Sequence, residues 1–377
     1  MAHQVYNWQL NRKMTYWYPE SRPKRQFAGV FDTNKCIACQ TCTVSCKTTW
    51  TSGRGQEQML WNSVETKPYG SFPTGWDVNI LNLLQSQQWG EDEYEGLTLF
   101  EAASEGKERV LGYHPEDIDW AHVNHGEDEC SGIINEGVYM KLPHKVWAFY
   151  LPRICNHCTY PACLAACPSS AIYKREEDGI VLIDQKRCRG HRECIRACPY
   201  KRPFFNCDTS TSEKCIGCYP KVESGLVPQC FMACIGKIRQ QGWISTPENA
   251  RVDSPVDFLV HVRKVALPLY PQFGTEPNVY YIPPVHVEPK FLRQMFGPGV
   301  EKAIETYRGA HDDPELLGAL LLQGSTERTI HHFKVRDGWS FGFDEKMAEV
   351  VRVPLKEPVY IRPYKDMERD VVRHNIS

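Results

Sequence analysis

A chain of 377 residues is long enough for two or three domains, or for one core carrying long insertions. With 42% hydrophobic and 24% charged residues its composition is that of a globular protein, and a net charge of −2 argues against a general nucleic-acid binder. Mean hydropathy is −0.47, and no apolar run approaches the roughly 20 residues a membrane span requires, so no direct span is expected.

In chain order, residues 1–50 open on MAHQVYNWQLNRKM, which has neither an apolar h-region nor a twin arginine. The expectation is a cytoplasmic protein, or one carried already folded on a partner into a periplasm-like compartment. The first cysteine run, CIACQTCTVSC, closes this segment. Residues 51–150 read as an insertion rich in Trp, Gly and acids (GEDEYEG, HGEDEC) that covers the cysteine sites or contacts a partner. Residues 151–205 carry the second run, CNHCTYPACLAACP, and the third, CRGHRECIRACP. Between them lies a hairpin-like insert, with Asp178-Gly179 as its turn and an Ile180–Ile183 strand. Residues 206–245 bring the fourth run, CIGCYPKVESGLVPQCFMAC. Residues 246–377 contain no cysteine. There PLYPQFGTEPNVYYIPP predicts an extended arm lying along another subunit, because so long an irregular segment is hard to explain in a lone monomer. PGVEKAIETYRG and PELLGALLLQG predict short amphipathic helices starting near Pro298 and Pro314, and the tail VPLKEPVYIRPYKD is again extended.

Seventeen cysteines are the abnormal feature, and they come in bursts at spacings of two and three. Such bursts belong to metal ligation rather than to a secreted disulfide scaffold. The first run has the full C-x2-C-x2-C-x3-C spacing of bacterial ferredoxins. Its tight loops let successive thiolates converge on one iron–sulfur cube, while the residue a helical turn further on reaches a different cube. Applied throughout, this rule assigns Cys36, Cys39, Cys42 and Cys234 to one cluster and Cys46, Cys215, Cys218 and Cys230 to its neighbour. Cys155, Cys158, Cys163 and Cys198 make a third, and Cys167, Cys188 and Cys194 remain for a fourth. The fold class expected is α+β: two nested bacterial-ferredoxin-like (βαβ-type) units with long insertions and an extended C-terminal arm. The inner unit is 151–205, and 1–50 with 206–245 forms the outer one. A helical step from Cys42 to Cys46 rises about 6 Å, which with side-chain reach places cluster centres on the order of 10 Å apart. Clusters at that spacing make an electron wire.

The third run has one irregularity, because its second ligand slot holds His191. Three thiolates point to a 3Fe–4S cluster beside three 4Fe–4S cubes. The alternatives are a fourth 4Fe–4S cluster in which His191 binds iron, as histidine does in Rieske centres, or a histidine that fills the open corner and donates to a sulfide.

Other readings are weaker. Structural zinc needs four ligands per site and rarely shows these longer runs. No C-x-x-C is followed by the histidine that c-type haem requires. The basic residues Lys186, Arg187, Arg189, Arg192, Arg196, Lys201 and Arg202 are better read as offsetting cluster charge, or as a solvated or docking face, than as a nucleic-acid site. His157 lies between ligands and is expected to tune rather than bind; Cys130 and Cys207 are expected to be ordinary buried thiols. There is no P-loop, no G-x-G-x-x-G after a strand and no nucleophile elbow, so no catalytic residues are expected and partners are needed at both ends of the wire.

The four runs, their order and the altered third slot resemble the iron–sulfur beta subunits of type II dimethyl sulfoxide reductase-family molybdoenzymes, the nitrate reductase branch. In respiratory nitrate reductases of that branch the slot at 191 holds tryptophan and the cluster is 3Fe–4S, so histidine leaves the cluster type open. Some family members have aspartate at the position of Cys46, which this chain keeps as cysteine. YNWQLNRKM, WNSVETKPYG, RICNHCTYPACLAACP, GTEPNVYYIPP and RQMFGPGVEKAIE are similar to beta subunits of nitrite oxidoreductases. The resemblance implies a heterotrimer, with higher oligomers left open. A catalytic alpha subunit with a molybdenum bis-guanine-dinucleotide cofactor would oxidise nitrite to nitrate. Electrons would enter at the Cys36/Cys39/Cys42/Cys234 cluster and leave from the Cys167/Cys188/Cys194 cluster to a haem-containing gamma subunit. Related beta subunits serve nitrate, chlorate, perchlorate, selenate or ethylbenzene chemistry.

Overall fold

A computed structural model describes residues 2–68, 70–105, 108–121 and 147–356, with two short strands beyond them. Strands β1 (His3–Asn7) and β2 (Arg12–Tyr16) form a hairpin ahead of β3 (Gln26–Asp32). β4 (Ser63–Lys67) pairs with β5 (Phe149–Arg153), β6 (Ile172–Lys174) with β7 (Val181–Ile183), and β8 (Pro203–Asn206) with β9 (Thr211–Lys214), all antiparallel. β10 (Arg239–Ile244), β11 (Leu267–Pro268) and β12 (Val279–Ile282) join β3 in a four-stranded sheet of order β10-β3-β12-β11. A three-stranded meander of β13 (His332–Arg336), β14 (Trp339–Phe343) and β15 (Glu349–Pro354) follows, and β16 (Tyr364–Asp366) pairs with β17 (Val371–Arg373). Short helices and small sheets of this kind make the fold α+β.

The central sheet explains how distant cysteine runs meet. β3, QFAGVFD, is buried along its whole length, as a strand covered on both faces must be. It pairs antiparallel with β10, so Phe31 near the end of β3 stands opposite Arg239 at the start of β10. The first run leaves the end of β3 and the fourth enters the start of β10, so strand pairing delivers both to one edge. The helices Thr41–Trp50 and Gln229–Met232 then pack together there. Gly29 permits the close approach, since a Cβ at that position would stand 2.9 Å from the Phe231 ring. The second and third runs meet for a local reason. The β6–β7 hairpin between them turns the chain back, and helices Ala162–Ala166 and Glu193–Ala197 pack on each other.

The arm expected to lie along another subunit lies inside this chain instead. β12 is fully buried and runs parallel to β3, with Val279 opposite Gly29. Its aromatic hydroxyls find partners within the fold: Tyr270 donates to Asp77 at 2.8 Å and Tyr281 to the Pro152 carbonyl at 2.9 Å. The expected helices are present as Val300–Arg308 and Pro314–Leu321, the second capped by Asp313, which accepts from the N–H groups of Glu315 and Leu316.

A buried ionic network ties the insertion to the rest. Glu65 on β4 accepts from Arg153 on β5, from the Trp76 indole at 3.1 Å and from the Phe72 N–H at 2.9 Å. Lys67 donates to Asp77 at 2.6 Å. Burial opposes the charge of Asp77, but Lys67 and the Tyr270 hydroxyl outweigh it and hold the carboxyl below its ordinary value of 3.8. A depressed carboxylate stabilises the fold above that ordinary value, and the contribution is lost as pH falls through the folded one. Denaturant midpoints measured from pH 6 downward are therefore expected to fall below pH 3.8 in the wild type and to fall less in Asp77→Asn; parallel curves would remove Asp77 from the network's energetics.

Candidate metal centres

Each cysteine run is a tight loop leading into or out of a short helix. The loops pass through left-handed backbone at Ala38 and Gln40, at His157, at Arg192 and at Gly217 and Cys218. Such turns fold a few residues back on themselves, so that side chains two positions apart face the same side. Cys42 and Cys46 then lie one turn apart on the helix Thr41–Trp50, Cys163 and Cys167 at the two ends of Ala162–Ala166, and Cys194 and Cys198 likewise around Glu193–Ala197.

The sixteen described cysteines are free thiols, and most are buried. Cys36, Cys39, Cys42 and Cys234 line one small cavity with Arg239. Burial, helped by the sulfurs of Cys42 and Cys234, raises the Cys36 thiol to about 11. Burial also raises Cys46, with Cys215 and Cys218 adding to the effect, and Cys230 faces Cys46, Cys218 and Cys215. Cys158 and Cys163 are raised by burial and then by each other's neighbours, Cys155 and Cys198. Cys194 rises to about 12 through burial and faces Cys167, Cys188 and Cys198. The structure thus gathers four groups of sulfurs. Adjacent groups act on one another through their sulfurs, in the order first, second, third, fourth: Cys42 raises the thiol of Cys46, Cys155 that of Cys215, and Cys198 that of Cys194. The groups stand in a row.

The donor chemistry fits iron–sulfur clusters. Backbone N–H groups point at sulfur from Ala171 to Cys167, Ser212 to Cys188, Gly217 to Cys215 and Gln229 to Cys218, at 3.3 to 3.4 Å. The Trp50 indole adds a bond to Cys218 at 3.2 Å. Such donors stabilise charge on sulfur.

Buried cations sit among the groups, and the strongest of them escaped sequence reading. Arg239 is 2% exposed and donates to Cys42 Sγ at 3.1 Å and to Asn62 at 2.9 Å, with its guanidinium 4.5 Å from the Phe31 ring centre. Burial opposes its charge, but the sulfurs of Cys42, Cys230, Cys234 and Cys36 hold it protonated. It therefore faces both the first and second groups. Its one sequence signal was a basic residue opening the strand after the fourth run. The basic cluster read from sequence divides. Lys186, Arg187, Arg189 and Arg192 are exposed, whereas Lys201 and Arg202 are buried beside Cys198.

His191 is exposed and lines an open cavity with His114, Trp120, Arg192, Phe205 and Cys207. Cys207 is exposed there, not buried as expected, because it lies in the turn joining β8 to β9. Cys130 falls outside the described residues. No helix among the described residues is long and apolar enough to cross a membrane.

Comparison with known proteins places these observations. A family model described as a 4Fe-4S dicluster domain matches residues 146–244. The chain is 42% identical over 316 residues to the selenate reductase subunit beta of Thauera selenatis, covering 76% of this chain and 91% of that one. It is 43% identical over 314 residues to the chlorate reductase subunit beta of Ideonella dechloratans, covering 76% and 91%. It is 40% identical over 314 residues to the respiratory nitrate reductase subunit beta of Haloferax mediterranei, covering 74% and 84%.

Removing the charge of Arg239 leaves sulfurs from two groups without their shared cation. Arg239→Met is expected to lower unfolding free energy by about 3–5 kcal/mol, the range for stripping one partner from a buried ionic pair, with Arg239→Lys intermediate. Urea titration followed by tryptophan fluorescence measures this; equal midpoints for all three proteins would refute the assignment.

Proposed function

Because the chain belongs to the iron–sulfur beta subunits of dimethyl sulfoxide reductase-family molybdoenzymes, we propose that its four cysteine groups hold three 4Fe–4S clusters and one three-iron cluster. Cys36, Cys39, Cys42 and Cys234 hold the first; Cys46, Cys215, Cys218 and Cys230 the second; Cys155, Cys158, Cys163 and Cys198 the third; Cys167, Cys188 and Cys194 the fourth. When bound, such clusters accept and release single electrons. The observation that carries this reading is the row itself, in which a sulfur of each group acts on a sulfur of the next.

The protein's own residues do the rest. Backbone N–H groups and Arg239 stabilise negative charge on sulfur, and burial keeps water from the inner groups. At one end Cys39 is exposed, and its thiol is held below the ordinary value chiefly by the Thr41 hydroxyl. The apolar side chains of Ile37, Val44 and Ile235, each about 60% exposed, belong to the same runs. This supports docking of a molybdenum-bearing alpha subunit there. At the other end the exposed His191 and Arg192 support an exit toward a haem-containing gamma subunit.

For the reaction served, we favour oxidation of nitrite to nitrate by the alpha subunit, on the phrases from YNWQLNRKM to RQMFGPGVEKAIE. A second reading, reduction of an oxyanion such as selenate or chlorate, is favoured by the 42% and 43% identities to beta subunits of those reductases. The complex co-purified through this chain should oxidise nitrite with an artificial acceptor. Turnover of selenate or chlorate without nitrite oxidation would decide for the second reading, and a partner lacking a molybdopterin fold would end both.

The cluster count has its own measurement. Iron and acid-labile sulfide should approach about fifteen irons per chain, as three cubes and a three-iron cluster require, and the oxidised protein should show a three-iron EPR signal. His191→Cys is expected to convert that signal to a cubane. A three-iron signal unchanged in His191→Cys would count against the open slot at 191, whereas a wild type without that signal would favour the alternative, a 4Fe–4S cluster that His191 completes.

A further inference from the structure

The two middle groups are joined by an exchange of donors. His157 stands between Cys155 and Cys158 in sequence and is fully buried, yet its ring faces the neighbouring group, with Nε2 3.8 Å from Cys215 Sγ. The Val181 N–H donates to Nδ1 at 3.1 Å. A neutral imidazole that accepts at Nδ1 carries its proton on Nε2, so the ring donates to sulfur. Lys214 makes the converse contact. It precedes Cys215 in sequence, but its ammonium lies 3.7 Å from Cys155 Sγ. It also donates to the Cys215 carbonyl at 2.9 Å and to the Val181 carbonyl. One peptide residue of the β6–β7 hairpin, Val181, therefore fixes both donors, its N–H setting the tautomer of His157 and its carbonyl holding Lys214.

The surroundings leave the imidazole little freedom. Asn278 donates to the His157 carbonyl at 3.0 Å, and the Phe27 ring meets the imidazole edge-on at 5.6 Å. Residue 217 is glycine with φ +61°, and a Cβ there would stand 3.3 Å from Nε2. The backbone around His157 is itself left-handed, with φ +42°. An imidazole so confined serves its one sulfur contact.

We propose that His157 and Lys214 are paired positioning residues that set the reduction potentials of the second and third clusters, each acting on the cluster bound by the other's cysteine run. This rests on the cluster reading given above. A donor or positive charge aimed at a ligand sulfur favours the reduced, more negative cluster and so raises its potential. His157 addresses the second cluster alone, through Cys215. Lys214 faces Cys155 and Cys163 of the third and Cys215 of the second.

EPR-monitored potentiometric titration of the intact complex tests this, with iron and sulfide counted on each preparation. His157→Phe is expected to lower one of the four midpoints by roughly a tenfold change in the reduced-to-oxidised ratio, about 59 mV for a one-electron couple. Lys214→Met is expected to lower two, including that one, and His157→Gln, which keeps an N–H donor, to restore much of the first shift. Unchanged midpoints in both variants at full iron content would overturn the proposal. Should His157→Phe fail to assemble, Lys214→Met decides alone, with unmoved midpoints again overturning it. A wild-type complex without iron would instead overturn the cluster reading itself.

Discussion

Burial and mutual repulsion both oppose ionisation of a thiol, yet a cysteine must lose its proton to bind iron. Cys46, Cys163 and Cys230 are raised by burial and again by facing sulfurs. A fold that gathers several such groups needs positive charge and hydrogen-bond donors in its interior. It has them at the joints of the row: Arg239 between the first two groups, Lys214 between the middle two, and Lys201 beside Cys198 near the last. Each cation is itself costly to bury, and each is tolerated because sulfurs or carbonyls surround it.

The central sheet is how the chain meets this constraint with segments far apart in sequence. Antiparallel pairing of β3 and β10 carries the first and fourth runs to one edge. The short β6–β7 hairpin does the same for the second and third and, through Val181, also holds the donors between the middle groups. The parallel strand β12 completes the sheet on the far side of β3. What looks like a wire is built on an ordinary small sheet whose strands happen to end where the cysteines begin.

The buried network of Glu65, Lys67, Asp77 and Arg153 plays a different part. It locks the insertion to β5 and to Tyr270 of the C-terminal segment. The described residues of the insertion are thereby tied into the rest of the fold, whereas Cys39 and His191, at the two ends of the row, are exposed.

Much of the site was legible in the cysteine spacing, because a C-x-x-C loop dictates local convergence whatever surrounds it. The helical step from Cys42 to Cys46, the hairpin between the second and third runs and the two C-terminal helices are local too, and were expected in place. The C-terminal arm was misjudged. Proline and aromatic content marks a segment as extended, but only the pairing of β12 with β3 decides that it is buried in its own chain. Arg239, Lys214 and the orientation of His157 were out of reach for the same reason. The sequence alone determined which thiols stand at ligand spacing, since that is set by residue type over a few positions. Tertiary structure decided which charges and donors face those atoms, since that depends on contacts between residues dozens to hundreds of positions apart.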